Sequence, residues 1–285
     1  MKKVNKTNRA HVYDSHGAVH KHKGTSAVAL ASQQYWDDIA THYALPATIK
    51  DSRYYAYHRI GTILSQHLPQ GHLRFIELGC APGGWLSYFA RKFQYNVSGI
   101  EYTKSGAIAT RKNLTLLDVP ADIRNEDLFN TTFADASLDV VFSFGLIEHF
   151  DDPYLCIAKH IALLKDKGKA VIVVPNFASP FYHFLQKVLG TSVEHIHVPY
   201  TPDQLQQACS KATHKGSVLT PNFVDYIGVC NLNMVNPSSL PLALQKIYWA
   251  AGIVFNWILV ALLFGRETAL FSPYLLYIGT KTKNR

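Results

Sequence analysis

The feature that most restricts the fold is an alternation running from residue 73 to residue 174. Short apolar runs of strand length alternate with segments whose apolar residues recur every three or four positions. The strand-like runs are Leu73–Leu78, Tyr95–Ile100, Ala121–Arg124, Leu138–Phe144 and Ala170–Val174. The helix-like segments between them are Trp85–Phe93, Ser105–Leu116 and Pro153–Leu164, the last ending near Lys165 and Gly168, a basic last turn followed by glycine. Strands joined by short links through helices must run parallel, with right-handed crossovers and both sheet faces covered. The predicted class is therefore α/β: a Rossmann-like, doubly wound, mostly parallel sheet of about seven strands.

N-terminal helices and a hydrophobic C-terminal helix complete the expected architecture. Trp36, Ile39, Ala40 and Tyr43 share one helical face within Gln34–Tyr43, and a second helix is predicted over Tyr54–His67, before Pro69 and Gly71. After Pro175 the regular alternation is lost. Thr201–Ala212 reads as a helix with Thr201 as N-cap and Pro202 in its first position, and Ser217–Cys230 and Pro273–Lys281 as further strands. The expected division is a basic flexible tail over 1–31, a helical cap over 32–70, a ligand-binding core over 71–180, and a substrate-side insertion with the hydrophobic helix and last strands over 181–285.

Composition narrows the setting. Hydrophobic residues make up 48% and charged residues 17%, a balance that supports a buried core. The four cysteines are far apart and form no CxxC pair, so neither a zinc ribbon nor a disulfide framework is expected, and a reducing cytoplasm is the simplest compartment. The net charge of +8 is concentrated near the start, where Lys2, Lys3, Lys6, Arg9, Lys21 and Lys23 face Asp14 alone. Such a His-rich arm is either simply solvated or touches anionic lipid or nucleic acid. No aromatic interleaving supports nucleic acid, which is not expected as a partner. The apolar run Ala27–Ala31 is too short for a signal peptide. By contrast, Ile247–Phe264 contains only Asn256 as a strongly polar residue, between Lys246 and Arg266, and as a helix would be roughly 27 Å long. A return strand after it argues against a single crossing. A helix lying on the domain or on a membrane surface is preferred, giving peripheral membrane contact through 247–264 and the basic tail.

Four motifs carry chemistry. In Glu77-Leu78-Gly79-Cys80-Ala81-Pro82-Gly83-Gly84, glycines between a strand and a helix allow close backbone approach to a ligand. Glu77 would repel a phosphate there and suit a cationic amine or sulfonium. Glu101 ends the second strand, where a carboxylate can accept two ribose hydroxyls. Asp127 and Leu128 follow the third strand, and Phe144-Gly145-Leu146-Ile147-Glu148-His149 follows the fourth.

On these residues the chain resembles the class I S-adenosylmethionine-dependent methyltransferases. Glu77-x-Gly79-x-Ala81-x-Gly83 is similar to their first motif, with Ala81 and Pro82 departing from its commonest form. The segment from Asp139 to Phe150 resembles the fourth motif of the quinone-biosynthesis and cyclopropane-fatty-acid synthase-like groups. The resemblance implies S-adenosyl-L-methionine as cofactor, held by Glu77, Gly79, Cys80, Ala81, Gly83, Glu101, Tyr102, Asp127, Leu128, Phe144 and Gly145. It implies methyl transfer to a small or lipid-like acceptor, with oxygen preferred. The RNA ribose-methylating enzymes share Ala81-Pro82-Gly83-Gly84-Trp85, but Ser143-Phe144-Gly145 stands where they carry a catalytic acid.

Glu148 and His149 are the candidate catalytic pair, needed if the acceptor arrives as a protonated hydroxyl; His195 and His197 are a second pair that would enter from the insertion. Some quinone methyltransferases bind a divalent metal through Glu-x-x-Glu-His. Gly145 occupies the first of those positions, so no metal is expected. A nicotinamide-dependent oxidoreductase and a non-catalytic adenosyl-binding partner protein are the competing readings. Nothing in the sequence selects an oligomeric state.

Overall fold

The computed structural model describes residues 20–21, 28–190, 196–235, 237 and 239–283. Seven strands form one sheet: β1 (Arg74–Leu78), β2 (Asn96–Glu101), β3 (Ala121–Asn125), β4 (Leu138–Phe144), β5 (Leu164–Pro175), β6 (Ser217–Ile227) and β7 (Tyr274–Lys283). Their spatial order is β3-β2-β1-β4-β5-β7-β6. The first five are parallel, whereas β7 runs antiparallel to both β5 and β6. Chain order reverses between β1 and β4, which creates the crevice where open α/β sheets bind ligands.

Among the described residues, eight helices flank the sheet: α1 (Gln33–Ala40), α2 (Tyr55–His67), α3 (Gly84–Lys92), α4 (Lys104–Leu116), α5 (Pro153–Leu163), α6 (Pro180–Leu189), α7 (Pro202–Lys211) and α8 (Leu242–Leu262). The pleat divides neighbouring residues between two cores. Phe75, Val140 and Val171 pack with Ile60, Leu64 and Phe89 on one face. Ile76, Val141 and Ile172 pack with Ile157, Ile161 and Leu205 on the other. Helix α7 has the expected start: Thr201 Oγ1 accepts the Gln204 amide at 3.3 Å, and Gln204 Oε1 accepts the Thr201 amide at 2.9 Å.

One boundary differs from the sequence reading. Helix α5 stops at Leu163, and Leu164 already pairs with Leu138, so Lys165–Gly168 is not its last turn. The ladder between β4 and β5 shifts register here, since Leu138 faces Leu164 while Val140 faces Lys169. Gly168 serves this bulge. A Cβ there would meet Leu164 Cδ2 at 2.9 Å and the Asp139 carbonyl at 3.1 Å. Lys165 and Asp139 clamp the same place at 2.7 Å.

Helix α8 begins a turn earlier than the apolar run suggests and ends where Phe264 and Gly265 take positive φ. It is long and apolar enough to cross a membrane, yet only 11% of its most apolar window is buried. Gly252 and Asn256 are its buried residues, and Trp257 meets Tyr55 of α2 edge-to-face. Both flanks are fastened to the domain. On the near side Ser239 Oγ donates to the Leu189 carbonyl of α6. On the far side Asn176 donates to the carbonyls of Ala269 and Ser272, Tyr182 to that of Phe271, and Glu267 pairs with Arg59 at 3.0 Å.

His160 pins β4 to α5. Its Nδ1 donates to the Cys156 carbonyl at 2.9 Å, leaving Nε2 to accept the Ser143 hydroxyl at 2.9 Å. Burial pushes its pKa down to about 4 from 6.5. The unfolded chain therefore binds a proton that the folded one refuses. This contribution is present above pH 6.5 and is lost as pH falls toward 4, by about 1.4 kcal/mol per unit. His160→Gln keeps an amide for both partners but cannot titrate. Urea denaturation across that window should show a flatter pH dependence for the variant than for wild type.

Candidate functional site

Each parallel strand delivers its functional residues at its carboxyl end. After β1, Gly79 turns at φ +72°, and the amides of Gly79 and Cys80 both donate to the Ile100 carbonyl, at 2.9 and 3.2 Å. The glycine-rich turn is thereby tied to the end of β2. Asn113 of α4 holds it from behind, donating to the carbonyls of Pro82 and Ala47 at 2.8 and 2.9 Å.

A cavity of about 270 Å³ opens above these turns. Gly79 and Ala81 line it from the first turn, Glu101, Tyr102 and Thr103 from the second, and Glu126, Asp127 and Leu128 from the third. Phe144, Gly145, Leu146 and His149 line it from the segment after β4, while Trp36, Ala40 and Tyr43 cover it from the N-terminal side. The cover is latched. Gln33 Nε2 donates to the Tyr102 carbonyl at 3.2 Å, and the Asp37 carboxylate accepts the amide and hydroxyl of Ser105 at the start of α4.

Glu101 is the hub of this wall. Oε1 accepts the Thr103 amide at 3.0 Å and its hydroxyl at 2.8 Å, and Oε2 accepts the Ala81 amide at 3.2 Å. Burial raises its pKa, and these donors oppose the rise. Among the described residues, no Lys or Arg lines the cavity, whereas Glu101, Glu126 and Asp127 do. Asp127 also fixes its own turn, with Oδ1 accepting the Phe129 amide at 2.9 Å.

Three expected cofactor residues do not reach the wall. Strand alternation turns Glu77 toward the first turn of α3, where the Leu86 amide faces one carboxylate oxygen and Oε2 is buried with no hydrogen-bond partner. Burial, reinforced by the charge of Glu101, raises its pKa well above the carboxylate range. Cys80 points into the core, so close to β2 that a Cβ on Gly99 would lie 2.6 Å from its Sγ. Gly83 caps α3 at φ +88°, where a Cβ would press on Thr110 Cγ2 at 3.1 Å. It allows α3 and α4 to pack and does not face the cavity.

The candidate catalytic pair is divided. Glu148 and His149 occupy a short 3-10 turn after β4, but only His149 lines the cavity. Glu148 is 1% exposed, and neither carboxylate oxygen has a hydrogen-bond partner. Burial pushes its pKa up to about 8. His149 is driven the opposite way, to about 3, by burial and then by His197. Its Nδ1 donates to the Ile196 carbonyl at 2.9 Å, so Nε2 carries the free lone pair. The Trp36 ring meets one side of His149 at 4.7 Å and the His197 ring another at 4.4 Å. His195, like most of the basic tail, lies outside the described residues.

The sequence showed the periodicity of Trp36, Ala40 and Tyr43, but not that this face covers a cavity. It offered no local signal for Thr103. His197 came to notice only as part of Glu194-His195-Ile196-His197, without its pairing to His149.

Residues 76–172 match the family model described as a methyltransferase domain. The chain carries a methyltransferase domain. The matched span runs from β1 into β5 and leaves the α1 cover, the insertion and α8 outside. A search of curated proteins finds no match. Solved structures are similar in fold at low identity. Geranyl diphosphate C-methyltransferase from Streptomyces coelicolor, in complex with Mg2+, geranyl diphosphate and S-adenosyl-L-homocysteine, is 13% identical with a TM-score of 0.56, covering 89% of this chain and 100% of that one. The [4+2]-cyclase SpnF is 12% identical with a TM-score of 0.57, covering 88% and 96%. YcgJ from Bacillus subtilis is 13% identical with a TM-score of 0.55, covering 80% and 100%. At such identities the likeness concerns the fold, and a fold that serves both a cyclase and a C-methyltransferase does not fix the reaction.

The Glu101 hub of the methyltransferase domain depends on a missing side chain. A Cβ on Gly106 would lie 2.5 Å from Thr103 Oγ1 and 2.9 Å from the Glu101 carboxyl. Gly106→Ala should displace that carboxylate and release its amide donors. Hydrogen exchange at Ala81 and Thr103 should accelerate by about tenfold or more, the worth of a hydrogen bond to a charged group. Exchange in the β4 and β5 core should be unchanged.

Proposed function

We propose that this chain is an S-adenosyl-L-methionine-dependent methyltransferase that methylates a small or lipid-like acceptor at oxygen. The observation that carries the reading is the charge of the cavity. Three acids line it, no described cation does, and a fourth acid, Glu77, is buried behind it with an unpartnered oxygen. A dinucleotide diphosphate would meet repulsion there, which weakens the nicotinamide reading. A ligand with a sulfonium, an ammonium and no phosphate fits the donor set. Glu101 would take the ribose hydroxyls, Asp127 and Leu128 the adenine edge, and Gly79 and Ala81 the close approach of the turn. Glu77, its carboxyl held neutral by burial beneath the turn, would ionise only against a bound cation. When bound, the cofactor supplies an already activated methyl group.

The chain's own residues then have to align the acceptor, exclude water and relieve a hydroxyl of its proton. The apolar cover by Trp36 and Ala40 and the apolar Phe144, Leu146 and Phe150 suit the first two tasks. The turn bearing Glu148 and His149 stands nearest the third: His149, held neutral by burial, can accept and orient the hydroxyl through Nε2 while the proton leaves to solvent as the methyl is transferred. An acceptor oxygen is preferred on that ground, and the apolar walls favour a lipid-like body.

The exposed α8 supports work at a cytoplasmic membrane surface. Its flanks are fastened to one domain, so it can lie in an interface but cannot deliver β7 across a bilayer. Trp257, Ile258, Leu262 and Phe264 are exposed, as are Phe184 and Val188 of α6.

Two measurements check this reading. Calorimetry with S-adenosylhomocysteine should give saturable binding, with none for NAD. Glu101→Ala should weaken binding by about tenfold or more, and Glu77→Gln by a smaller factor, following the worth of charge-assisted hydrogen bonds. Equal affinity in both variants rejects the adenosyl assignment. Separately, full-length protein should float with anionic liposomes at low salt, and Trp257→Asp with Ile258→Asp should abolish flotation. Protein that stays unbound rejects the membrane part alone.

A further inference from the structure

The turn after β4 holds more than a proton acceptor. Glu148, His149 and His197 each offer one ligand atom, and those atoms all lie within 4.8 Å of one another. Glu148 and His149 are sequence neighbours in the 3-10 turn, whereas His197 arrives from the insertion between α6 and α7. The amide of Val198 donates to the Glu148 carbonyl at 2.7 Å, which fastens the insertion to the turn beside His197. The fold therefore assembles a three-donor set that no sequence motif contains.

Two further observations point to a cation. Glu148 is 1% exposed, and both carboxylate oxygens are buried with no hydrogen-bond partner. A buried carboxyl without partners is costly unless a proton, a donor or a metal satisfies it. His149 is oriented as zinc-ligating imidazoles are, with Nδ1 donating to a backbone carbonyl, that of Ile196, at 2.9 Å. The lone pair on Nε2 is thereby fixed 3.8 Å from Glu148 Oε1.

We infer that Glu148, His149 and His197 form a transition-metal site of the zinc class, with its open coordination position facing the cavity through His149. Two imidazoles and one carboxylate are a catalytic zinc donor set, which keeps a fourth position for water or substrate. Imidazole donors select against Mg2+, which takes oxygen ligands and retains its waters. Ligands bonded at about 2.0–2.1 Å to one tetrahedral ion lie about 3.3 Å apart. The side chains thus need to close by less than 2 Å, roughly a rotamer adjustment. The expectation of no metal rested on Gly145 replacing an acid. Here the third donor comes from His197, a position that motif does not include. With the His149 Nε2 lone pair given to the ion, the ion would instead lower the pKa of an acceptor hydroxyl at the open position, and the proton would leave to solvent. The inference rests on that reading for its use, but not for its existence.

The test uses full-length protein stripped with a chelator and titrated with Zn2+. The histidines of residues 1–25 can take metal themselves, so the readout is the difference between variants. Wild type should bind one equivalent that Glu148→Gln and His197→Gln weaken by about 10–100-fold or more, with circular dichroism unchanged. Mg2+ should not compete. Co2+ substituted into wild type should give the intense visible bands of a four-coordinate site, a readout that needs no variant. Wild type that takes up no zinc beyond the tail, folded variants that bind as wild type does, or only the weak bands of six-coordinate cobalt would overturn the site. S-adenosylhomocysteine binding by wild type is measured in parallel, so loss of the metal site with retained adenosyl uptake leaves the proposed function intact.

Discussion

The architecture of the site depends on one carboxylate, that of Glu101, and on the donors that converge on it. Ala81 reaches it from the glycine-rich turn and Thr103 from the cap of α4, so one side chain at a strand end joins the loops after β1 and β2. Ile100 and Asn113 hold the same turn, but neither joins it to the cap of α4 as this carboxylate does. A buried negative charge is tolerated there because its lone pairs meet fixed N–H and O–H groups. The same arrangement sets the chemical preference of the cavity. Once Glu101, Glu126 and Asp127 line a small volume with no compensating Lys or Arg among the described residues, positive charge becomes the natural visitor.

The parallel half of the sheet supplies polarity, and the added elements supply dryness. Helix α1 brings Trp36 and Tyr43 over the cavity and is locked to α4 through Asp37 and Ser105. Burial beside Glu101 raises the Tyr43 phenol pKa to about 12, so it serves as a neutral wall or donor. The segment 196–200 backs His149, with the His197 ring against it and the Ile196 carbonyl accepting from its Nδ1. The family match at 76–172 leaves both parts outside, where chains of this fold acquire individual chemistry.

How much of this was legible in the sequence follows physical lines. Strand and helix periods are local properties, and Leu138–Phe144 was placed to the residue because an apolar run between polar turns admits one reading. The Lys165–Gly168 turn was misread because a glycine after a basic turn looks the same whether it ends a helix or makes room for a bulge. Only the neighbouring Asp139 carbonyl decides between them. At the site, the motifs named Gly79, Ala81 and Glu101, which line the cavity, together with Glu77, Cys80 and Gly83, which face a helix or the core; a motif does not say which way each residue turns. The cover of Trp36 and Tyr43 and the meeting of His149 with His197 are tertiary facts, fixed by packing between segments far apart in sequence.

The position of β7 carries a consequence for how the chain is made. This strand inserts between β5 and β6, yet it follows both of them and α8 in sequence. During synthesis from the N-terminus, α8 leaves the ribosome while β5 still has an open edge and the last ladder cannot form. For that interval the nascent molecule presents a greasy 21-residue helix beside an unfinished sheet. Until the native topology fastens its far end, that helix has to be kept from apolar surfaces other than its own domain.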